Sequence, residues 1–380
     1  VIEDVAILRR RPRLSATESD RLDRRRTDRP VHHVEIVDML LDDVISREPC
    51  EVEPVAKLPL HFTPSLLPSP IPDPAMVPIG PGCDQIANIT AAPAEHLAGS
   101  FGFTEGPLWH PDGHWLFVDI QKLQIHKMST NGKVETYRQP SFGTNGMTFD
   151  NQGNLVICES DNRQIMRQQK DGSYTAIATH VNGKRLNRPN DIVGRSDGTL
   201  YFTDTGGRLS ESERELDYSG VHLISPKGNQ TVGTTETEYP NGLAFSPDEK
   251  ILYVAITRLD AGCLEEKEKR QICEHQFIRA FDVAADGSLS NNRVFATMYS
   301  AEDGVPDGMK VDVEGNIYCT GSEGCWIFNA SGEHLGIIRL PEIPANCAWG
   351  GADNQTMLFT ARTSVFSQRM KIPGTAIPKD

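Results

Sequence analysis

No run of apolar residues in the chain approaches the ~18 that a membrane-crossing helix requires, which argues against a helical membrane protein. The first residues lack the apolar core of a secretory leader. Positive charge is scarce: 38 Lys and Arg face 52 Asp and Glu, a net of −14. So acidic a chain has no basic face for phosphates, which argues against nucleic acid as a partner. Cysteine is sparse too, with eight residues in 380. Cys158, Cys319, Cys325 and Cys347 fall in or beside apolar, strand-like runs, where thiols act as small hydrophobes. Cys263 and Cys273 flank the charged segment EEKEKR and are the one pair placed to form a disulfide, although a reduced cytoplasmic chain fits the pattern better. H-E-x-x-H, G-x-G-x-x-G and P-loop signatures are absent, which removes the commonest zinc-protease and nucleotide-binding chemistries.

The chain does hold 32 Gly and 25 Pro, and these divide it into two textures. Residues 1–30 carry nine Arg against six acids, and a proline-punctuated stretch follows as far as residue 80. Apart from a possible short helix at 34–48, nothing before residue 80 is patterned to bury a core, so 1–80 is expected to be a low-order extension. Its basic run reads as a solvated tail.

From residue 81 onward the chain repeats. Six segments share a short polar signature, an apolar strand, a tight turn and a second strand. They begin EGPLW at Glu105, TNGMTF at Thr144, RPNDIV at Arg188, YPNGLAF at Tyr239, VPDGMKV at Val305 and PANCAW at Pro344. Runs such as MTF and LAF read as strands, DG, QG, DE and EG as hairpin turns, and LYFTD or ILYVA as the following strands. Equivalent polar positions are Glu105, Asn145, Asn190, Asn241, Asp307 and Asn346, spaced 40, 45, 51, 66 and 39 residues apart. That spacing suits one four-stranded blade per repeat, and the longest interval carries an insertion at 257–277. The expectation is an all-β, six-bladed propeller over 81–380, with residues 84–103 supplying the strand that closes the ring. No segment sustains a helical period for long enough to support the alternative.

The innermost strand of every propeller blade lines the central channel, so one repeat position seen six times points six side chains at one axis. Here those side chains are one Glu, one Asp and four Asn. Oxygen donors without His or Cys form a hard set that favours Ca²⁺, with Mg²⁺ or Mn²⁺ as substitutes and Zn²⁺ the least suited. Asn-Gly and Asp-Gly are also ordinary turn dipeptides, but recurrence in register is not a property of isolated turns.

EGPLW, RPND, PNGLAFSPD and PDGMKVD, in that order, resemble the senescence marker protein/gluconolactonase/luciferin-regenerating enzyme family over residues 100–370. The resemblance implies a six-bladed propeller with one catalytic divalent cation, usually calcium, held by Glu105, Asn190, Asn241 and Asp307. It also matches Arg188 to the family's substrate-holding arginine, and Asn190 to a position that touches substrate in some members. Asn145 and Asn346 complete the ring as substrate contacts. Relatives of the phosphotriesterase type place a second calcium on an acid three residues after the catalytic Asp. Lys310 stands there, which tilts the reading toward a lactonase.

A lactone is an ester, and opening it needs a polarised carbonyl, an activated water and relief of the oxyanion charge. Asp307 is the candidate base, with direct nucleophilic attack as its competing role. Asp191 and Glu159 are next in line as bases. The acids after the second strands, Asp119, Glu159 and Asp204, read first as turn residues or supports for the site. The expected function is calcium-dependent hydrolysis of a small-molecule lactone such as glucono-1,5-lactone. A propeller that only binds calcium or a protein, or a strictosidine-synthase-like enzyme, is the alternative on the same scaffold. The identity of the lactone and the oligomeric state are not legible in the sequence.

Overall fold

The computed structural model describes residues 82–377, except 208, 258–268, 270 and 272–275. The extension at 1–80, the helix expected at 34–48, the pair Cys263 and Cys273, and most of the 257–277 insertion lie outside the described residues. Within them the chain is all-β with one helix, Gly82–Ile89, and six four-stranded antiparallel sheets in a ring. The inner strands are Thr104–His110, Thr144–Phe149, Pro189–Gly194, Pro240–Phe245, Met309–Val311 and Pro344–Gly350, numbered here as blades one to six.

Each inner strand turns through a tight hairpin into a second strand that is buried almost throughout. His114–Asp119, Leu155–Glu159 and Leu200–Asp204 are buried throughout. Blades pack face against face, so a second strand is covered on both sides and reads as a continuous apolar run rather than an alternation. The core therefore lies between blades. Val156 and Cys158 of blade two meet Ile192 and Phe202 of blade three, and Tyr253 of blade four meets Met309 and Cys319 of blade five. Burying one such large side chain contributes roughly 1.5–3 kcal/mol. Cys158, Cys319, Cys325 and Cys347 are buried free thiols in these layers.

Hydroxyls fasten blades two to five to the next inner strand. Ser160 Oγ donates to Pro189 O (2.5 Å), Thr203 Oγ1 to Asn241 O (2.8 Å) and Thr320 Oγ1 to Ala345 O (2.7 Å), while Thr257 donates to Pro306 O. These bonds fix the inner strands at the level of the polar ring.

Blade six closes the circle. Its three C-terminal strands are joined by Glu95–Ala98, which pairs antiparallel with the last strand through Glu95 and Ser367. The closing strand is shorter than the segment 84–103 expected from the sequence. Residues 82–89 are helical instead, and Ile89 is buried among Tyr318, Ile327 and Trp349 between blades five and six. From blade six the chain continues across the end of the channel farthest from Glu105. Thr375 N donates to Val311 O of blade five (3.1 Å), and two residues later Ile377 packs with Leu108 and Phe149 of blades one and two. Ile377 lies against the apolar cluster shared by blades one and two, and two residues span only ~7 Å, so this segment runs across the ring from blade five rather than around it.

Connections from second to third strand lie at the Glu105 end. They are short in blades one, two, five and six, and long in blades three (205–219) and four (257–276). No helix among the described residues is long and apolar enough to cross a membrane.

Candidate metal centre

Glu105 comes from blade one and Asp307 from blade five, with blade six between them. Glu105 is 3% exposed, and its Oε2 accepts from Gly106 N (2.8 Å) and from Asn346 Nδ2 (3.0 Å). Asn346 is itself buried, and its Oδ1 accepts from Cys347 N (2.8 Å). Blade six thus holds the blade-one carboxylate with an amide whose two polar atoms are both committed. Asp307 Oδ1 is buried and has no hydrogen-bond partner among the described residues. The Asn241 amide draws the Asp307 carboxyl down, and its Nδ2 donates to Thr257 Oγ1 (3.3 Å). Asn145 and Asn190 occupy the equivalent places in blades two and three and are half-buried.

A third carboxylate joins this pair. Asp191, one residue past Asn190, is 3% exposed; its Oδ1 accepts from Ile192 N (2.8 Å), and its Oδ2 is buried without a partner among the described residues. Lys310 supplies the nearby positive charge. Its Nζ donates to Met309 O (2.9 Å), and its ammonium draws the Glu105 and Asp191 carboxyls down. That is not enough to offset burial. Burial pushes Glu105 up to about 7, with the charge on Asp191 adding to the rise. Burial likewise raises Asp191. Asp307 is held well above the ordinary carboxylate range by burial first, then by the charges of Glu105 and Asp191.

Carboxylates packed together and short of positive charge are what a divalent cation relieves. Among the described residues, acid, His and Cys side chains alone form no group of three able to hold a metal ion. A cation here would need the asparagine oxygens as well. The donor set fits one: it is all oxygen, it draws on several blades, and it includes an unpartnered buried carboxylate oxygen.

The glycines beside the ring residues are explained by close approach rather than by hairpin turns. A Cβ at Gly308 would fall 2.0 Å from Asn346 Oδ1, and one at Gly146 would fall 2.4 Å from Asp191 Oδ1. The inner strands are therefore as close as backbone allows, which brings the donors together.

The acids after the second strands hold backbone and neighbouring side chains. Asp119 accepts from Gly102 N (2.8 Å) and Phe103 N (3.3 Å), and Asp204 from Asn187 N (2.7 Å) and Arg188 N. Glu159 takes Arg138 (2.6 Å) and the amides of Asn162 and Gln164. Asp119 and Asp204 thus fix the chain where it enters the inner strands of blades one and three. Arg188 lies two residues before Asn190 and pairs with Asp161 at 2.8 Å, with 19% of its side chain exposed. A G-x-S-x-G pentapeptide does occur, at Gly194–Gly198, but it is the hairpin of blade three: Gly198 N donates to Arg195 O (2.9 Å) and Ser196 is held by Glu249. No helix follows it, so it is not a nucleophile elbow.

Comparison with known proteins matches residues 103–363 to a family model described as SMP-30/Gluconolactonase/LRE-like region. Over 321 residues the chain is 29% identical to a gluconolactonase of Zymomonas mobilis, an alignment covering 77% of this chain and 85% of that protein. It is 28% identical over 262 residues to the pentonolactonase XacC of Haloferax volcanii, covering 67% and 80% respectively. Among solved structures, a gluconolactonase of Xanthomonas campestris superposes with a TM-score of 0.66 at 29% identity, covering 75% of this chain and 92% of that one.

Proposed function

The chain belongs to the SMP-30/gluconolactonase/LRE-like family, and on that premise we propose that it hydrolyses a lactone, with a sugar lactone such as glucono-1,5-lactone the first candidate, at a calcium ion held by Glu105, Asn190, Asn241 and Asp307. One observation carries the reading: carboxylates from different blades, Glu105 buried and Asp307 with its Oδ1 buried, share a site with amide donors, and that Oδ1 has no partner among the described residues. The gluconolactonase and pentonolactonase names of the relatives support the substrate class.

When bound, the cation would polarise the lactone carbonyl and offset the negative charge that develops on its oxygen. The remaining work falls to side chains. Water adds to the carbonyl carbon, and the Asp307 carboxylate takes its proton. As the bond from that carbon to the ring oxygen breaks, the proton passes to the departing oxygen, leaving a hydroxy acid. Glu105 supplies charge and is held in place by Asn346. Both polar atoms of Asn346 are committed, so we assign it to positioning Glu105 rather than to touching substrate. Arg188 and Asn145 remain as substrate contacts; Arg188 would exchange its bond to Asp161 for a substrate hydroxyl or carboxylate.

The test is acid release from a panel of lactones, measured by pH-stat against the buffer blank. Five- and six-membered sugar lactones should be opened well above the spontaneous rate, and acyclic esters of the same acids should be poor substrates. A protein that accelerates none of the lactones is not a lactonase.

A further inference from the structure

Asn187 has no role in the chemistry above, yet it is 1% exposed and stands next to Arg188. Its Nδ2 donates to Leu216 O and to Tyr218 O, both at 3.1 Å. Those carbonyls belong to the far side of the blade-three connection 205–219. The near side touches the same residue: at Gly206, whose φ is +62°, a Cβ would lie 3.1 Å from Asn187 Nδ2. Ser219 Oγ then donates to Thr205 O (2.5 Å), which draws the two ends of the connection together. One buried amide thus holds the far end of a 15-residue loop and lies close against Gly206 at its near end.

The same residue belongs to the site. Its backbone N and that of Arg188 donate to the two oxygens of Asp204, and Thr205 N donates to Arg188 O (3.3 Å). The connection leaves blade three beside Pro189, the residue paired with Asp204, and so emerges at the channel end that bears Arg188 and Asn190. Leu216, in the apolar layer between blades two and three, and Arg163, which donates to Glu213 O (3.0 Å), anchor the loop elsewhere, but neither adjoins Arg188 in sequence. Thr205 N also reaches Arg188 O, and Glu215 accepts from Arg185 N (2.8 Å), but the Asn187 side chain is the one beside Arg188 that bonds the far side of the loop. We propose that Asn187 is a positioning residue: it clamps loop 205–219 against the Arg188 side of the channel entrance, so that the loop takes part in substrate binding. This rests on the lactonase reading above.

The experiment compares Asn187→Asp with the full-length protein and with a variant whose residues 207–214 are replaced by two glycines. Asp keeps the shape but cannot donate to Leu216 O or Tyr218 O. Trypsin cleavage after Arg214, an exposed residue of the loop, reads the clamp without reference to activity. Asn187→Asp should be cut there faster than the full-length protein. It should raise KM for the best lactone by about tenfold, the scale of one or two lost hydrogen bonds, with kcat little changed. In the loop-shortened background the same substitution should leave KM where the shortening put it, because the partner is gone. Equal trypsin resistance, or a KM effect that persists undiminished without the loop, overturns the proposal. If the full-length protein opens no lactone, the function fails while the trypsin comparison still decides the clamp.

Discussion

The two ends of the propeller are made by the same six inner strands, yet they carry opposite kinds of residue. At the far end the strands turn through short hairpins. Their left-handed residues are Gly113, Gly153, Gly198, Glu249, Gly315 and Asn354, with open space beside Gly113 and Gly153, and a segment of the chain crosses the opening. At the Glu105 end three carboxylates, a lysine and a set of amides gather, with Glu105, Asp191 and Asn346 buried and the rest half-buried, and the two longest connections emerge there. One end is built for cheap closure and the other holds unfavourable charge. The lesson is that repetition stabilises the ring, and departures from repetition carry the chemistry.

The largest expected break of that comparison is at Asp307. Asp307→Asn keeps an oxygen ligand and removes the base, so kcat should fall at least ~10²-fold, and excess Ca²⁺ should not restore it. Glu105→Gln weakens the cation's hold instead, and excess Ca²⁺ should recover much of its rate. Equal rescue of both variants would reduce Asp307 to a ligand.

Next come two glycines, one from each end. Gly308→Ala drives a methyl into Asn346, and should cost about 1–3 kcal/mol of stability together with cation affinity, read by calorimetric titration. Gly153→Ala has open space, so its cost is that of a positive φ (80°), about 1–2 kcal/mol, with cation affinity intact. Unchanged affinity in Gly308→Ala would detach Asn346 from the site.

A smaller effect concerns pH. Glu105 is raised from 4.5 to about 7 in the folded, cation-free protein, so there the folded state binds this proton more tightly than the unfolded chain does. Its contribution to stability is full below about 4.5, is lost as the pH climbs to about 7, and is flat beyond. Melting in chelator minus melting in saturating Ca²⁺ separates the raised carboxyls of the site, Glu105 with Asp191 and Asp307, from the buried histidines, such as His222, lowered to about 4, which pull the other way. A difference that does not vary with pH would contradict the placement of Glu105. Smallest of all, Arg369→Ala at the far end removes an exposed ion pair with Asp353 and should leave the melting temperature unmoved.

The fold was legible because its unit repeats. Six polar positions in register marked six inner strands, and DG, QG and EG marked their hairpins. Part of the site was legible for the same reason. Asp191 and Lys310 were harder to place. In the other blades the position after the ring residue is Gly106, Gly146, Gly242, Gly308 or Cys347, and the position of Lys310 is Leu108, Thr148, Val193, Ala244 or Trp349. A charged residue at only one of six registers leaves no repeat signal. Lys310 stood out only as a missing acid, whereas in the fold it acts on Glu105 and Asp191. Asn187 was invisible for another reason: its partners are backbone carbonyls about 30 residues away, at Leu216 and Tyr218. The helix Gly82–Ile89 was missed because its apolar face is short and its support, between blades five and six, comes from the far end of the chain.

The central claim is that a cation in the channel is required for lactone opening, and rate against free Ca²⁺ tests it most directly. Protein stripped by exhaustive chelation should open its best lactone no faster than the buffer blank while its ring stays folded by circular dichroism. Activity should then return along a saturable curve as Ca²⁺ is added. A stripped, folded protein that keeps its full rate would contradict the account.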